Sequence, residues 1–201
     1  SATGGGLAAT GVVTLTGGAF QTNRSDASGG GVTVLGDLTI SRTLFTENFA
    51  QSGGAAVGAT GQILADEARF ERNVTPGVGG AVLLGGSGAS KVSNSIFDGN
   101  DAAGGSALYL FHPAYYAGGS MEIVQTTIAS PTAAIGSAIL ALTGTVGISD
   151  SLIANYTAGI MHAGGGSAFQ DYNLFASVTS PVAGVVSGGE HSLTATDAYF
   201  A

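Results

Sequence analysis

Six glycines, Gly11, Gly36, Gly61, Gly88, Gly119 and Gly144, each stand twelve places before a second recurring position. That position is held by Asn23, Asn48, Asn73, Asn100, Pro131 and Tyr156. One unit of 25 to 31 residues therefore repeats along most of the chain. A unit this short cannot bury an apolar face by itself. It must stack on copies of itself, so the register restricts the chain to a solenoid before local propensity is considered.

The columns of the repeat give the type of solenoid. Taking the Asn-bearing position as a corner, Phe20, Phe45, Phe70, Phe97, Ile128 and Ile153 stand three places before it. Leu15, Ile40, Ala65, Val92, Ile123 and Ile148 stand eight before, and Val13, Leu38, Ile63, Ser90, Met121 and Val146 ten before. Five before are small residues only: Gly18, Thr43, Ala68, Ser95, Thr126 and Ser151. Apolar and polar positions alternate, which is the period-2 pattern of strands with one buried face. The parity switches between the eighth and fifth places, where the chain is expected to bend. A further short strand follows each Gly-rich segment, as in Gly29-Gly30-Gly31-Val32-Thr33-Val34. Three short strands per turn, with like residues in register, predict an all-β, right-handed parallel β-helix of about seven coils over residues 1–201. A degenerate last coil and C-terminal cap are expected from about residue 157 onward. At about 4.8 Å per coil the rod is roughly 30 Å long.

In that arrangement Phe20, Phe45, Phe70 and Phe97 form a stacked inward row. Asn23, Asn48, Asn73 and Asn100 form a ladder whose residues are expected to tolerate left-handed backbone and to bridge coils through their amides. Charges fit the same register. Arg42 and Glu67 share one column, and Glu47 and Arg72 another, as expected of exposed cross-strand pairs.

Composition narrows the function classes. With 5 basic against 13 acidic residues the net charge is −8, so no basic face exists to contact phosphates or anionic lipid. The 35 glycines suit tight β corners, and the 44% hydrophobic content excludes a solvated, disordered chain. Without cysteine there is no disulfide, thiolate metal site or Cys nucleophile. The longest apolar run, Ala133 to Leu142, is too short to cross a membrane as a helix. No basic leader opens the chain at Ser1.

Length varies only between a corner and the next column glycine. That interval is thirteen places in three units, fifteen before Gly88 and nineteen before Gly119. Such insertions map to loops on one side of a solenoid, often the binding side. The longest carries Phe111, His112, Tyr115 and Tyr116, an aromatic group suited to stacking on sugar rings or anchoring a protein partner. The densest charge group, Asp66, Glu67, Arg69, Glu71 and Arg72, reads as a mutually neutralising surface. His112, His162 and His191 lack metal-ligand spacing. No nucleophile elbow or phosphate loop is present. Catalytic residues, metal and cofactor are therefore all expected to be absent.

Gly79-Gly80-Ala81-Val82 with Phe97-Asp98-Gly99-Asn100 resembles the paired GGA(I/L/V) and FxxN motifs of polymorphic outer membrane protein repeats. Phe45-Thr46-Glu47-Asn48 and Phe70-Glu71-Arg72-Asn73 fit the second motif too. The later part is similar to bacterial surface β-helix proteins of the CSLREA and choice-of-anchor types. There Ser151 to Ala158 matches an "NSIIANNTA" unit, Asp171-Tyr172-Asn173-Leu174-Phe175 a "GYNLI" segment, and Asp197 to Phe200 a closing "DPLF". The resemblance implies a cell-surface or secreted β-helix, with members that are mostly adhesins, autotransporter passengers or proteins without assigned role. The expected function is a non-enzymatic extracellular module, an adhesin, spacer or assembly subunit that self-associates or binds a protein. The alternative is a glycan-binding or polysaccharide-depolymerising β-helix using the 111–116 loop.

Overall fold

The computed structural model describes residues 4–86, 88–111 and 119–196, and in 132–135 the backbone alone. All described regular structure is β, and the strands pair in parallel as a solenoid of about seven turns. Each turn contributes one strand to each of three faces. In the second turn these are Val32–Leu35, Leu38–Ser41 and Leu44–Thr46. They lie in register on Val57–Ala59, Ile63–Asp66 and Arg69–Glu71 of the third turn. The second face is an eight-stranded sheet. Its eight strands enclose seven intervals, which gives the turn count.

The inward columns form the core. Phe20, Phe45, Phe70, Phe97, Ile128, Ile153 and Phe175 follow one another in backbone register. The four consecutive phenylalanines stack with centroids 5.3, 5.1 and 4.5 Å apart and planes within 13°. Such pairs add about 0.5–1.5 kcal/mol each to the burial of their area.

Each turn bends sharply at two places flanking the third face, and each bend uses one left-handed residue. Arg42, Glu67, Asn94, Gln125, Asp150 and Tyr172 make the first bend, with φ between 49° and 56°. Thr22, Glu47, Arg72, Gly99, Asn155 and Ser177 make the second, with φ between 50° and 63°. This corrects the expectation for the corner asparagines. The left-handed residue is the one before each asparagine, and it projects outward while the asparagine side chain turns in. Asn48, Asn73 and Asn100 are buried. A short outer ladder follows this corner, pairing Arg24–Ser25 with Phe49–Ala50. It continues through isolated bridges at Val74 and Asp101.

The recurring glycines occupy a third bend, between the first and second faces. Gly36 has φ +147°, and a Cβ there would lie 2.2 Å from the Gly11 carbonyl oxygen of the turn before. Chain approaches chain too closely for any side chain.

Two features depart from the sequence reading. After the fourth turn the short strands fuse. Thr127–Ala141 and Leu152–His162 each run from the third face into the first face of the next turn. The register shifts between Ala129 and Ala134, so Tyr156 is level with Ala134 and not with Pro131. Neither residue continues the asparagine ladder: proline has no N–H, and Tyr156 instead fills the interior. Secondly, the chain from residue 158 to 195 adds two further rungs to the solenoid. It departs from the repeat because the turns shorten. Val13 pairs with Leu38 near the start, whereas Val146 pairs with Ala168 and Ala168 with Val186 near the end. Asp197 to Phe200 lie outside the described residues.

Candidate functional site

Inside the corner, the asparagines hold each turn to the next. The Asn48 backbone N–H and Nδ2 both donate to Asn73 Oδ1, at 3.0 and 2.9 Å. Asn73 makes the same pair of bonds to Asn100 Oδ1, at 3.1 and 2.9 Å. Asn23 makes them to Asn48 Oδ1, at 3.0 and 2.9 Å. The second hydrogen of the Nδ2 of Asn48, Asn73 and Asn100 reaches back to the carbonyl of Phe20, Phe45 and Phe70 respectively. A primary amide on a short stem supplies one double acceptor and two donors here, which explains the residue type. At the opposite bend, buried hydroxyls work similarly: Ser95 Oγ accepts from Ala68 N–H and Ser151 Oγ from Thr126 N–H. Asn173 Oδ1 accepts from Ser151 N–H at 3.0 Å, giving the asparagine of the Asp171-Tyr172-Asn173 segment a structural role.

Outside, charges pair between turns. Arg42 lies 3.9 Å from Glu67, Arg72 3.3 Å from Glu47, and Lys91 3.1 Å from Glu122. The last pair was missed in the sequence, although both residues stand nine places before the corner. Glu71 is held by Arg69 at 2.5 Å and by Arg72 at 3.8 Å. Asp66 accepts from Ser93 and Asn94, which lowers its carboxyl below the ordinary range, Asn94 being the larger cause. The dense charge group is thus an exposed network and does not converge on one point. Among the described residues no group of three or more His, Asp and Glu side chains is gathered to hold a metal.

Of the candidate binding loop, Phe111 is described; His112, Tyr115 and Tyr116 lie outside the described residues. Phe111 is 42% exposed. It borders a groove of about 310 Å³ on the outer side of the first face, with Ser28, Thr33, Leu35, Gly58 and Leu83. Gly58 is the notch: its register neighbours Thr33 and Leu83 carry side chains and it carries none. Beyond it the same column continues as Tyr109, Leu140 and Met161. Partial burial pushes the Tyr109 hydroxyl pKa up. Residues are added between Leu84 and Ala89 and between Leu110 and Ser120, on either side of the glycine bend, where the register between turns lengthens.

Two further surface features had no clear sequence signal. A groove of about 390 Å³ on the third face is bordered by Arg69, Glu71, Ile96, Asp98, Thr127 and Asn155, among others. Near the C-terminal end, the Tyr172 and His191 rings stack at 4.3 Å and 1°. His191 Nδ1 lies 3.0 Å from Asp171 Oδ2, and the His191 backbone N–H donates to Oδ1. The Asp171 carboxyl is lowered, chiefly by that imidazole bond. Tyr172 and His191 come together only because the last turn is shortened, which shifts the spacing that would have shown them as one column.

Two buried groups stand apart from these networks. His162 is buried, with Nε2 3.3 Å from the Gly144 carbonyl oxygen and Nδ1 without a partner among the described residues. The Tyr156 hydroxyl reaches the Ala129 carbonyl at 3.4 Å. Burial raises its pKa most, and the nearby Asp98 and Asp101 carboxylates add to the effect. Comparison with known proteins gives no match among family models, curated proteins or solved structures.

Proposed function

We propose that the chain is a non-enzymatic extracellular module, a rigid β-solenoid that acts as an adhesin or spacer on a bacterial surface. Its motif resemblance to polymorphic outer membrane protein repeats and to CSLREA and choice-of-anchor proteins supports that setting. The observation that carries the reading is how the polar side chains are used. The inward ones, Asn48, Asn73, Asn100, Ser95 and Ser151, tie successive turns together. Outside, Arg42–Glu67, Arg72–Glu47 and Lys91–Glu122 pair between turns, and Arg69–Glu71 pairs within one. A chain built this way resists bending and leaves its outer faces for contact with a protein, a glycan or a second copy.

Two measurements test it. Beads coated with the purified chain are expected to adhere to cell-matrix or glycan surfaces above uncoated beads. Incubation with a panel of acidic and neutral polysaccharides is expected to release no new reducing ends and no unsaturated products. Release of either would overturn the non-enzymatic reading in favour of a depolymerase.

A further inference from the structure

The outward positions of the third face form two columns. One runs Arg69, Ile96, Thr127, Leu152, and the other Glu71, Asp98, Ala129, before the column passes under cover at the buried Ala154. Along the second, long side chains give way abruptly to alanine, which leaves a shelf at Ala129. The extra residues that shift the register after Ala129 place Ser130 and Pro131 on one rim of the shelf. Asn155, left-handed at φ +63°, also lines it, and its Nδ2 is fixed on the Ser130 carbonyl at 2.7 Å. The outcome is the groove of about 390 Å³ described above. It exists because the asparagine ladder is interrupted at this point.

The polar groups around the shelf are not equivalent. Glu71 is committed to Arg69 and Arg72. Asp98 has no ion pair among the described residues, so its oxygens remain acceptors. The amide of Asn155 keeps Oδ1 as an acceptor, and Thr127 adds a hydroxyl. Ile96, 39% exposed, and the Pro131 ring supply apolar surface. An anion would meet two carboxylates, and Arg69 is already held by Glu71, which leaves the Asp98 carboxylate as an acceptor for hydroxyl groups. A purely apolar ligand would desolvate Asp98 and Arg69 with nothing in return. A neutral ring carrying hydroxyls on its edge and C–H groups on its face satisfies all of them.

We propose that this groove binds a neutral hexopyranose unit of a glycan. The sugar face rests on Ile96 and Pro131, and its hydroxyls meet Asp98, Asn155 and Arg69. The inference rests on the surface-module reading and gives it a ligand class. It moves the glycan contact away from the 111–116 loop.

Saturation-transfer NMR and calorimetry with a panel of neutral methyl hexopyranosides test it directly. At least one member is expected to bind saturably with a dissociation constant of about 1 mM, the range open to a ligand of that size. Asp98→Asn is expected to weaken binding by about tenfold or more, through loss of a charged acceptor. Ala129→Leu, which fills the shelf without touching a polar group, is expected to abolish it. Circular dichroism and the thermal midpoint of both variants should match the parent. Absence of saturable binding across the panel would overturn the proposal. So would binding that survives both Ala129→Leu and Asp98→Asn. Neither result bears on the non-enzymatic reading, which the polysaccharide-cleavage assay tests separately.

Discussion

The Asn73 side chain takes part in four hydrogen bonds, two donated by Nδ2 and two accepted by Oδ1, and it is fully buried. Replacing it with alanine leaves the Asn48 N–H and amide, and the Phe45 carbonyl, unsatisfied in the interior. Asn73→Ala is therefore expected to lower stability by about 3–5 kcal/mol in urea unfolding, within the range for a broken buried network. Asn23, half-buried at the first turn, accepts no bond from another described asparagine, and Asn23→Ala should cost about 1 kcal/mol. Equal losses at the two sites would argue against a continuous ladder. Asp171 gives a prediction in pH. Its folded-state pKa is depressed below the ordinary value of 3.8, first by the His191 imidazole bond. A depressed carboxyl stabilises fully above its unfolded value and loses that contribution as pH falls through the folded one. Amide exchange in residues 189–195, taken relative to the intrinsic rate at each pH, is thus expected to accelerate below about pH 4. In Asp171→Asn it should already be fast at neutral pH and show less acid dependence.

Single elements draw their stability from their neighbours in the stack, since a strand as short as Arg69–Glu71 has almost none alone. Phe70 lies between Phe45 and Phe97 and touches both rings, whereas Phe20 stacks on Phe45 alone among the described residues. Phe70→Leu keeps most of the volume but removes two aromatic contacts. A loss of about 1–3 kcal/mol is expected, with roughly half that for Phe20→Leu. Denaturant midpoints of the two variants measure the ratio directly. The fused strands Thr127–Ala141 and Leu152–His162 show the other way of turning a corner. There pairing continues past a register shift after Ala129, and Asn155 still takes the left-handed bend at φ +63°.

For the whole molecule, low charge and dense apolar stacking make stability insensitive to salt. The exposed pairs Arg42–Glu67, Arg72–Glu47 and Lys91–Glu122 are worth about 0–1 kcal/mol each. Raising sodium chloride from about 0.1 to 1 M shortens the screening length from about 10 to 3 Å. It weakens these pairs but also the self-repulsion of a net charge of −8. The two effects oppose, so unfolding free energy should change by no more than about 1 kcal/mol. A fall of about 3 kcal/mol or more would mean that the ion pairs, and not the inward columns, hold the turns together.

The sequence by itself determined the periodicity, the inward columns and the cross-turn charge pairs. In a parallel stack, residues one repeat apart occupy the same place on successive rungs, so spacing in sequence becomes position in space. That legibility ended where the repeat changed length. Tyr172 and His191, or Tyr156 and Ala134, meet across turns shorter than the main repeat, and the register of the earlier turns does not align them. Backbone handedness at the corner was also hidden, because an asparagine suits both the left-handed position and the inward amide ladder. Hydrogen bonding between turns settled it, placing Thr22, Glu47 and Arg72 in the strained conformation instead. The grooves were beyond the sequence for a related reason. They arise from absent side chains, at Gly58 and Ala129, and an absence becomes a cavity only when the rungs above and below supply its walls.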